Sequence, residues 1–254
     1  MSGPAESFWA ALPLGRDVAL LAADANGLGA LAKPSGTLSH PNESRDQPRA
    51  LLTVPYDQAT ESYQWNGDTG AGRLWLLNRL DSATSGVILV AADAALAAEI
   101  RAHFKRKQVT KIYQALVFGK PPRTTDVWKD LLAVQKKGGQ IRTSASAGHV
   151  PAECQMRVIA SRGTGSDARS LLQLEPRTGR SHQLRVQCAK RHLPIVGDQT
   201  YGDFRRNRDI AKRAGTKRLF LHSLSTRFEY TWQGRSWRFA ATAPLPEEFS
   251  AALQ

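Results

Sequence analysis

Cysteine is scarce. Cys154 and Cys188 are the only two in 254 residues. Two are too few for a disulfide framework, and neither sits in a CxxC or similar ligand spacing. They read as free thiols of a reducing compartment rather than as metal ligands. Long apolar runs are missing as well. The longest stretches, such as Val87–Ala92, have strand length and fall far short of the roughly 18 residues of a membrane span. Met1–Arg16 lacks a basic start followed by a long apolar block, so a secretory signal is not expected and the cytoplasm is the expected location. No fixed-period repeat and no long low-complexity tract is present. Acidic residues are the other shortage. Asp plus Glu is 22 against 35 Lys plus Arg, a net charge of +13, which makes a polyanion the first partner to consider. An apolar fraction of 41% still suffices for a sizeable core.

The pattern of the chain predicts an α+β fold with a mixed, mostly antiparallel sheet, flanking helices and loops. Residues 1–27 read as a poorly defined N-terminal arm, and 28–254 as one domain. Leu28–Lys33 reads as a strand that turns at Pro34-Ser35-Gly36, and 41–70 as a long, polar, irregular segment of the kind that is often functional. Leu74–Leu77 and Gly86–Ala91 read as buried strands around the polar turn Asn78–Ser85. Asp93 fits a helix N-cap, with Leu96, Ile100 and Phe104 as the apolar stripe behind it. Lys111–Phe118 is a strand. A hairpin is expected at Gly138-Gly139, and Glu153–Ile159 is expected to pair with Ser170–Glu175. A helix is expected over Ser181–Arg191, followed by late strands at Leu219–Leu224, Arg227–Trp232 and Arg235–Thr242 and a terminal helix at Glu247–Leu253. Gln233-Gly234 would turn the last hairpin.

Two constellations can bear chemistry. In Asn78–Gly86 a cation, Arg79, and a carboxylate, Asp81, stand two residues apart in a turn between buried strands. One reading is a turn Asp that caps its own loop, which spacing alone favours; the other is a functional carboxylate. In Arg177–Arg185 three arginines flank a turn that opens a helix, a ready site for a phosphate or an internal carboxylate. A basic helix face would account for Arg185. It accounts less well for Arg180, a cation near the positive end of a helix. His182 reads as a packed or capping histidine.

Asn78–Gly86 resembles the HRLDxxTSG signature of the RluA-type RNA pseudouridine synthases, and Arg177–Arg185 resembles their RTGRxHQLR signature. Three shorter matches fall in the same order: Leu31–Gly36, Lys111-Ile112-Tyr113 and Pro194–Asp198. The resemblance covers about residues 28–245. Two positions depart from it. The family's His before Arg is Asn78, and its RVH reads Arg185-Val186-Gln187; both keep a hydrogen-bonding side chain.

The resemblance implies an isomerase that breaks the N1–C1′ bond of uridine in ribosomal or transfer RNA and rejoins the base through C5, with no metal or organic cofactor. It makes Asp81 the catalytic carboxylate, Arg180 its cationic partner, and Tyr113 the ring that stacks on the uracil near C5 as a candidate general base, although Tyr113 taken alone reads as a core aromatic on a strand. The target base must leave its helix to be reached, and Arg79 is placed to fill the gap. The run between Arg205 and Arg218 holds Arg205, Arg206, Arg208, Lys212, Arg213, Lys217 and Arg218 against the single acid Asp209. It reads as a basic loop that contacts phosphates, although charge runs are usually solvated surface. Lys129, Lys136, Lys137 and Arg142 form a second candidate patch. Two other functions stay open: an RNA-binding or chaperone protein on the same fold with its chemistry lost, which Asn78 motivates, and a nucleosidase acting on free nucleosides. A monomer is the default expectation.

Overall fold

The computed structural model describes residues 6–67, 70–137, 140–144 and 149–253. In chain order it contains α1 (Glu6–Ala10), β1 (Ala19–Ala23), β2 (Leu28–Lys33), β3 (Tyr56–Asp57), β4 (Ser62–Gly67), β5 (Gly70–Leu76), β6 (Ser85–Ala91) and α2 (Ala94–Lys105). Then come β7 (Thr110–Phe118), β8 (Thr125–Lys137), β9 (Gln140–Ser144), β10 (Val150–Arg162), β11 (Arg169–Pro176), α3 (Gln183–Lys190), α4 (Phe204–Ala214), β12 (Leu221–Trp232), β13 (Arg235–Thr242) and α5 (Glu248–Leu253). Short 3-10 helices lie at Ser44–Arg49 and Gly165–Asp167. The expected α+β class holds. The chain divides into two compact units. One runs up to Thr110 and takes in Ser223–Pro244; the other is Lys111–His222 with the residues from Leu245 onwards.

In the first unit the strands run in the order β3-β4-β5-β6-β12, with β2 also on β6, β1 outside β2, and β13 on β12. The ladders of β1, β2, β3, β4 and β5 with their neighbours, and of β12 with β13, are antiparallel. Every residue of β6 is buried, as its unbroken aliphatic run requires. Val87, Leu89 and Ala91 of that strand pack with Leu96, Ala97 and Ile100 of α2 and with Phe228, Tyr230 and Phe239 of the last hairpin. The Asp93 carboxylate accepts the Leu96 N–H at 2.8 Å, the expected cap. Gln233 and Gly234 both have positive φ, 49° and 75°, which matches the twist of a two-residue hairpin loop.

Two expectations for this unit need correction. The 41–70 segment is not irregular throughout: it holds a 3-10 helix, β3, β4 and the start of β5. Its glycines and prolines punctuate short strands rather than exclude them. The two late strands before Gln233 are one, β12, because Ser225 and Thr226 stay in register with Thr242 and Ala241.

Gly86 ends the first signature for a steric reason. Its φ is +112°, and a Cβ there would stand 2.1 Å from the Ser223 carbonyl oxygen. Gly86→Ala adds a left-handed penalty to a backbone overlap, so it is expected to cost about 2–5 kcal/mol in denaturant unfolding. A loss under about 1 kcal/mol would contradict that packing.

In the second unit β7, β11, β10, β8 and β9 neighbour one another in that order, in antiparallel ladders. β8 and β9 form the expected hairpin, pairing as far as Lys137 with Gln140; Gly138 and Gly139 themselves lie outside the described residues. β10 and β11 pair as expected. Both cysteines are buried and free, and burial pushes the Cys154 thiol up to about 12 and raises Cys188 as well. The basic run is not a loop. Residues Phe204–Ala214 form α4, capped at one end by the Asp203 carboxylate, which accepts the Arg205 and Arg206 N–H groups at 3.1 and 3.0 Å, and at the other by Gly215 in the left-handed region.

Candidate active site

The Asp81 turn is in the first unit, and the Leu31–Gly36 segment holds it in place. Lys33 is only 1% exposed, and its ammonium donates to the carbonyls of Pro34, Thr37 and Ser82 at 3.0, 2.6 and 3.0 Å. The Ser35 hydroxyl donates to Ala83 O at 2.8 Å, and Gly36 N–H donates to Ser82 O at 2.8 Å. Ser39 meets both backbone groups of Leu80: its hydroxyl donates to the carbonyl at 2.8 Å and accepts the N–H at 3.1 Å. Thr84 N–H closes the turn on Asp81 O at 3.0 Å. Anchors on both sides of Asp81 fix its backbone while the residue stays half-buried, and Arg79 beside it is exposed. A carboxylate held on a rigid frame suits catalysis better than one on a mobile loop. Asn78 belongs to that frame, for its Oδ1 accepts the Leu89 N–H at 2.8 Å.

The second signature is built in the other unit. Gln183, in the first turn of α3, ties it together. Its side-chain oxygen accepts from the Thr178 hydroxyl at 2.8 Å and from Arg180 N–H at 3.1 Å, and its amide donates to Glu153 O at 3.1 Å. α3 begins at Gln183, two residues later than expected, so Arg180 stands ahead of the helix and not in its first turn. Arg180 is exposed, with its Nε donating to Pro151 O at 3.2 Å. The neighbouring Gly179 faces the Lys111 ammonium, 3.9 Å from where a Cβ would stand. The Arg180 turn therefore lies near the start of β7, which bears half-buried Tyr113. Burial lowers the Lys111 pKa.

Arg185 is not on a solvated face. It is 8% exposed, and its guanidinium donates to both oxygens of Asp198, 1% exposed, at 2.8 Å each. Asp198 also accepts the Thr200 and Tyr201 N–H groups at 2.8 and 3.0 Å. Burial alone would raise this carboxyl, but the Arg185 hydrogen bonds and charge outweigh it and hold the pKa below the ordinary range. The second signature and the Pro194–Asp198 match are thus two halves of one ion pair. His182 is a packed residue as expected; its Nδ1 lies 2.9 Å from the Tyr201 hydroxyl. Gln187, where the family has His, is buried, and its amide donates to Asp130 at 2.8 Å. Lys190 and Arg191 reach the same carboxylate at 2.7 and 2.9 Å.

On α4, Arg205, Arg208 and Lys212 are exposed, and so is Phe204, which sequence reasoning passed over. Asn207 and Ile210 face inward. Arg206 is half-buried, its guanidinium over the Phe118 ring at 4.0 Å and donating to Ala168 O at 3.1 Å. The Arg213 side chain lies outside the described residues, as do those of Lys136, Lys137 and Arg142; Lys129 is exposed. Arg218 turns inward, 3.5 Å from Glu248, and is removed from the exposed basic set.

The described residues thus form an α+β chain in which one unit carries a framed Asp turn and the other a Gln-tied arginine turn. Residues 28–190 match the family model described as RNA pseudouridylate synthase, and the chain belongs to that family. It is 30% identical over 244 residues, 85% of this chain and 89% of the relative, to a tRNA pseudouridine synthase C of Yersinia pestis. It is 32% identical over 181 residues to a ribosomal large subunit pseudouridine synthase C of Vibrio vulnificus, of which it spans 55%. A tRNA pseudouridine synthase C of Pectobacterium carotovorum is spanned over 62% of its length. Among solved structures, Human RNA Pseudouridylate Synthase Domain Containing 4 shares the fold at a TM-score of 0.66 and 23% identity, over 92% of this chain and 91% of that one.

Proposed function

We propose that this chain isomerises uridine to pseudouridine within transfer or ribosomal RNA. The observation that carries the reading is Asp81, a carboxylate on a turn that Lys33, Ser35 and Ser39 clamp from below while the residue itself stays accessible. In this reading the N1–C1′ bond breaks, the uracil turns, the C5–C1′ bond forms, C5 releases its proton and N1 gains one. The sum is an isomerisation that uses no other reactant. The Asp81 carboxylate acts at the sugar, as nucleophile or as the base that takes a sugar proton. Arg180 pairs with it during the reaction and keeps it ionised. Tyr113 stacks on the uracil beside C5, and Arg79 occupies the gap that the flipped base leaves. Asn78 serves the strand frame, so its presence is not in itself a reason to expect lost activity. Such an enzyme works in the cytoplasm with its RNA.

The test is release of tritium from C5-labelled uridine in bulk transfer and ribosomal RNA, with pseudouridine mapping in cells with and without the gene. RNA binding with no release from any RNA would favour the silent RNA-binding protein. Turnover of free uridine would favour the nucleosidase.

The exposed cations of α4 are the proposed phosphate contacts. Each phosphate neutralised contributes about 0.7–0.9 to the log–log salt slope. The combined variant Arg205→Ala, Arg208→Ala, Lys212→Ala is expected to flatten that slope by about 2–3. An unchanged slope would remove α4 from the RNA surface.

A further inference from the structure

The 41–70 segment, unused so far, holds Tyr56 and Tyr63, and His40 just before it joins them in an aromatic cluster. The His40 and Tyr56 rings lie 4.9 Å apart and 12° from parallel. Tyr63 meets Tyr56 edge-on at 4.9 Å, and its buried hydroxyl donates to Ser39 O at 2.8 Å. The stack is therefore tied to the residue that clips Leu80, between Arg79 and Asp81. His40 Nδ1 lies 3.1 Å from the Pro41 carbonyl, an acceptor, so Nδ1 is the donor there and the contact holds the ring in place. His40 and Tyr56 are half-buried, and no other aromatic ring lies against His40 among the described residues. Arg79 is exposed and near enough for its charge to act on the Tyr56 hydroxyl, which burial and then Glu61 push up to about 12. Two parallel rings and an exposed cation nearby are what a stacked base and its phosphate require.

We propose that the His40–Tyr56 stack is a platform on which a base of single-stranded RNA, next to the uridine presented to Asp81, stacks during binding. The proposal rests on the reading of the chain as an RNA uridine isomerase. A platform of this kind favours unpaired over paired RNA, because bases inside a duplex already stack on one another.

The probe is a fluorescein-labelled strand of about 12 nucleotides with a central uridine flanked by adenines, used single-stranded and as a duplex. His40→Ala is expected to weaken single-strand binding about tenfold, the effect of losing one base–aromatic stack, and duplex binding less than about twofold. His40→Phe, which keeps a ring, is expected to bind within about threefold of wild type. A 2-aminopurine beside the uridine is expected to be quenched by wild type and His40→Phe but not by His40→Ala. Unchanged single-strand affinity in His40→Ala overturns the platform. So does equal weakening of both RNAs, or a His40→Phe protein as weak as His40→Ala. Tritium release by the wild type, read separately, tests the isomerase itself. Release without strand discrimination sinks the platform alone; discrimination without release sinks the isomerase and leaves the platform standing.

Discussion

Asp81→Asn should abolish tritium release from C5-labelled uridine in RNA, by at least about 10⁴-fold, while RNA affinity stays within about twofold. The amide nearly matches the carboxylate in shape, so the turn has no steric reason to change. The Lys33, Ser35 and Ser39 contacts that define it run to the backbone carbonyls of Ser82, Ala83 and Leu80 and not to the Asp81 side chain. On the proposed mechanism the variant lacks the negative charge at the sugar, and with it the nucleophile or base. Arg180→Ala is expected to lower the rate by a smaller factor. In the double variant the two losses should not add, because a cation that acts through the carboxylate has nothing to act on once the carboxylate is gone. Full additivity would mean that Arg180 serves RNA binding independently of Asp81. Retained release by Asp81→Asn would mean that the catalytic group lies elsewhere.

Much of this could be read along the chain where the signal was local. The β12–β13 turn follows from Gln233-Gly234, the α2 start from Asp93, and β6 from its aliphatic run, since neighbouring residues decide each of these. α4 was missed although Asp203 and Gly215 mark both ends. Its inward face uses Asn207 and Ile210 among five basic side chains, so no apolar period shows. The burial of Lys33 was also out of reach. A lysine among carbonyls looks like any surface lysine until the chain brings Thr37 and Ser82 around it. Arg185 reads as a helix-face cation in the sequence because its partner, Asp198, lies 13 positions away beyond an irregular stretch. Family signatures flag such residues as special without saying whether they act on substrate or hold the frame, and here Gln183, Arg185 and Asn78 hold the frame.

The Arg185–Asp198 pair should dominate the stability of its unit. Removing one partner of a buried ion pair strands the other charge and costs about 3–5 kcal/mol. For a chain of this size that corresponds to a Tm lowered by roughly 6–20 °C. Asp198→Ala should be the worse of the two, because it also leaves the Thr200 and Tyr201 N–H groups without their acceptor, whereas Arg185→Ala leaves Asp198 still holding both. Either change loosens Tyr201, whose ring lies 5.1 Å from the Arg185 guanidinium and whose hydroxyl accepts the Thr143 N–H at 2.9 Å. Acid should act on the same bond. The Asp198 carboxyl sits below its unfolded value near 3.9, so its contribution is complete above that pH and drains away as the pH falls through the lower folded value. Asp130 is buried beside Lys190, Gln187 and Arg191, is likewise held down, and adds to the same acid limb. Thermal unfolding followed from pH 7 to pH 3 should therefore show a steep loss of Tm at the acid end, shallower in Asp198→Asn, which has no charge to lose at that position. Equal acid slopes in the two proteins, or an Asp198→Ala protein as stable as wild type, would mean that the bidentate contact adds nothing to the folded state.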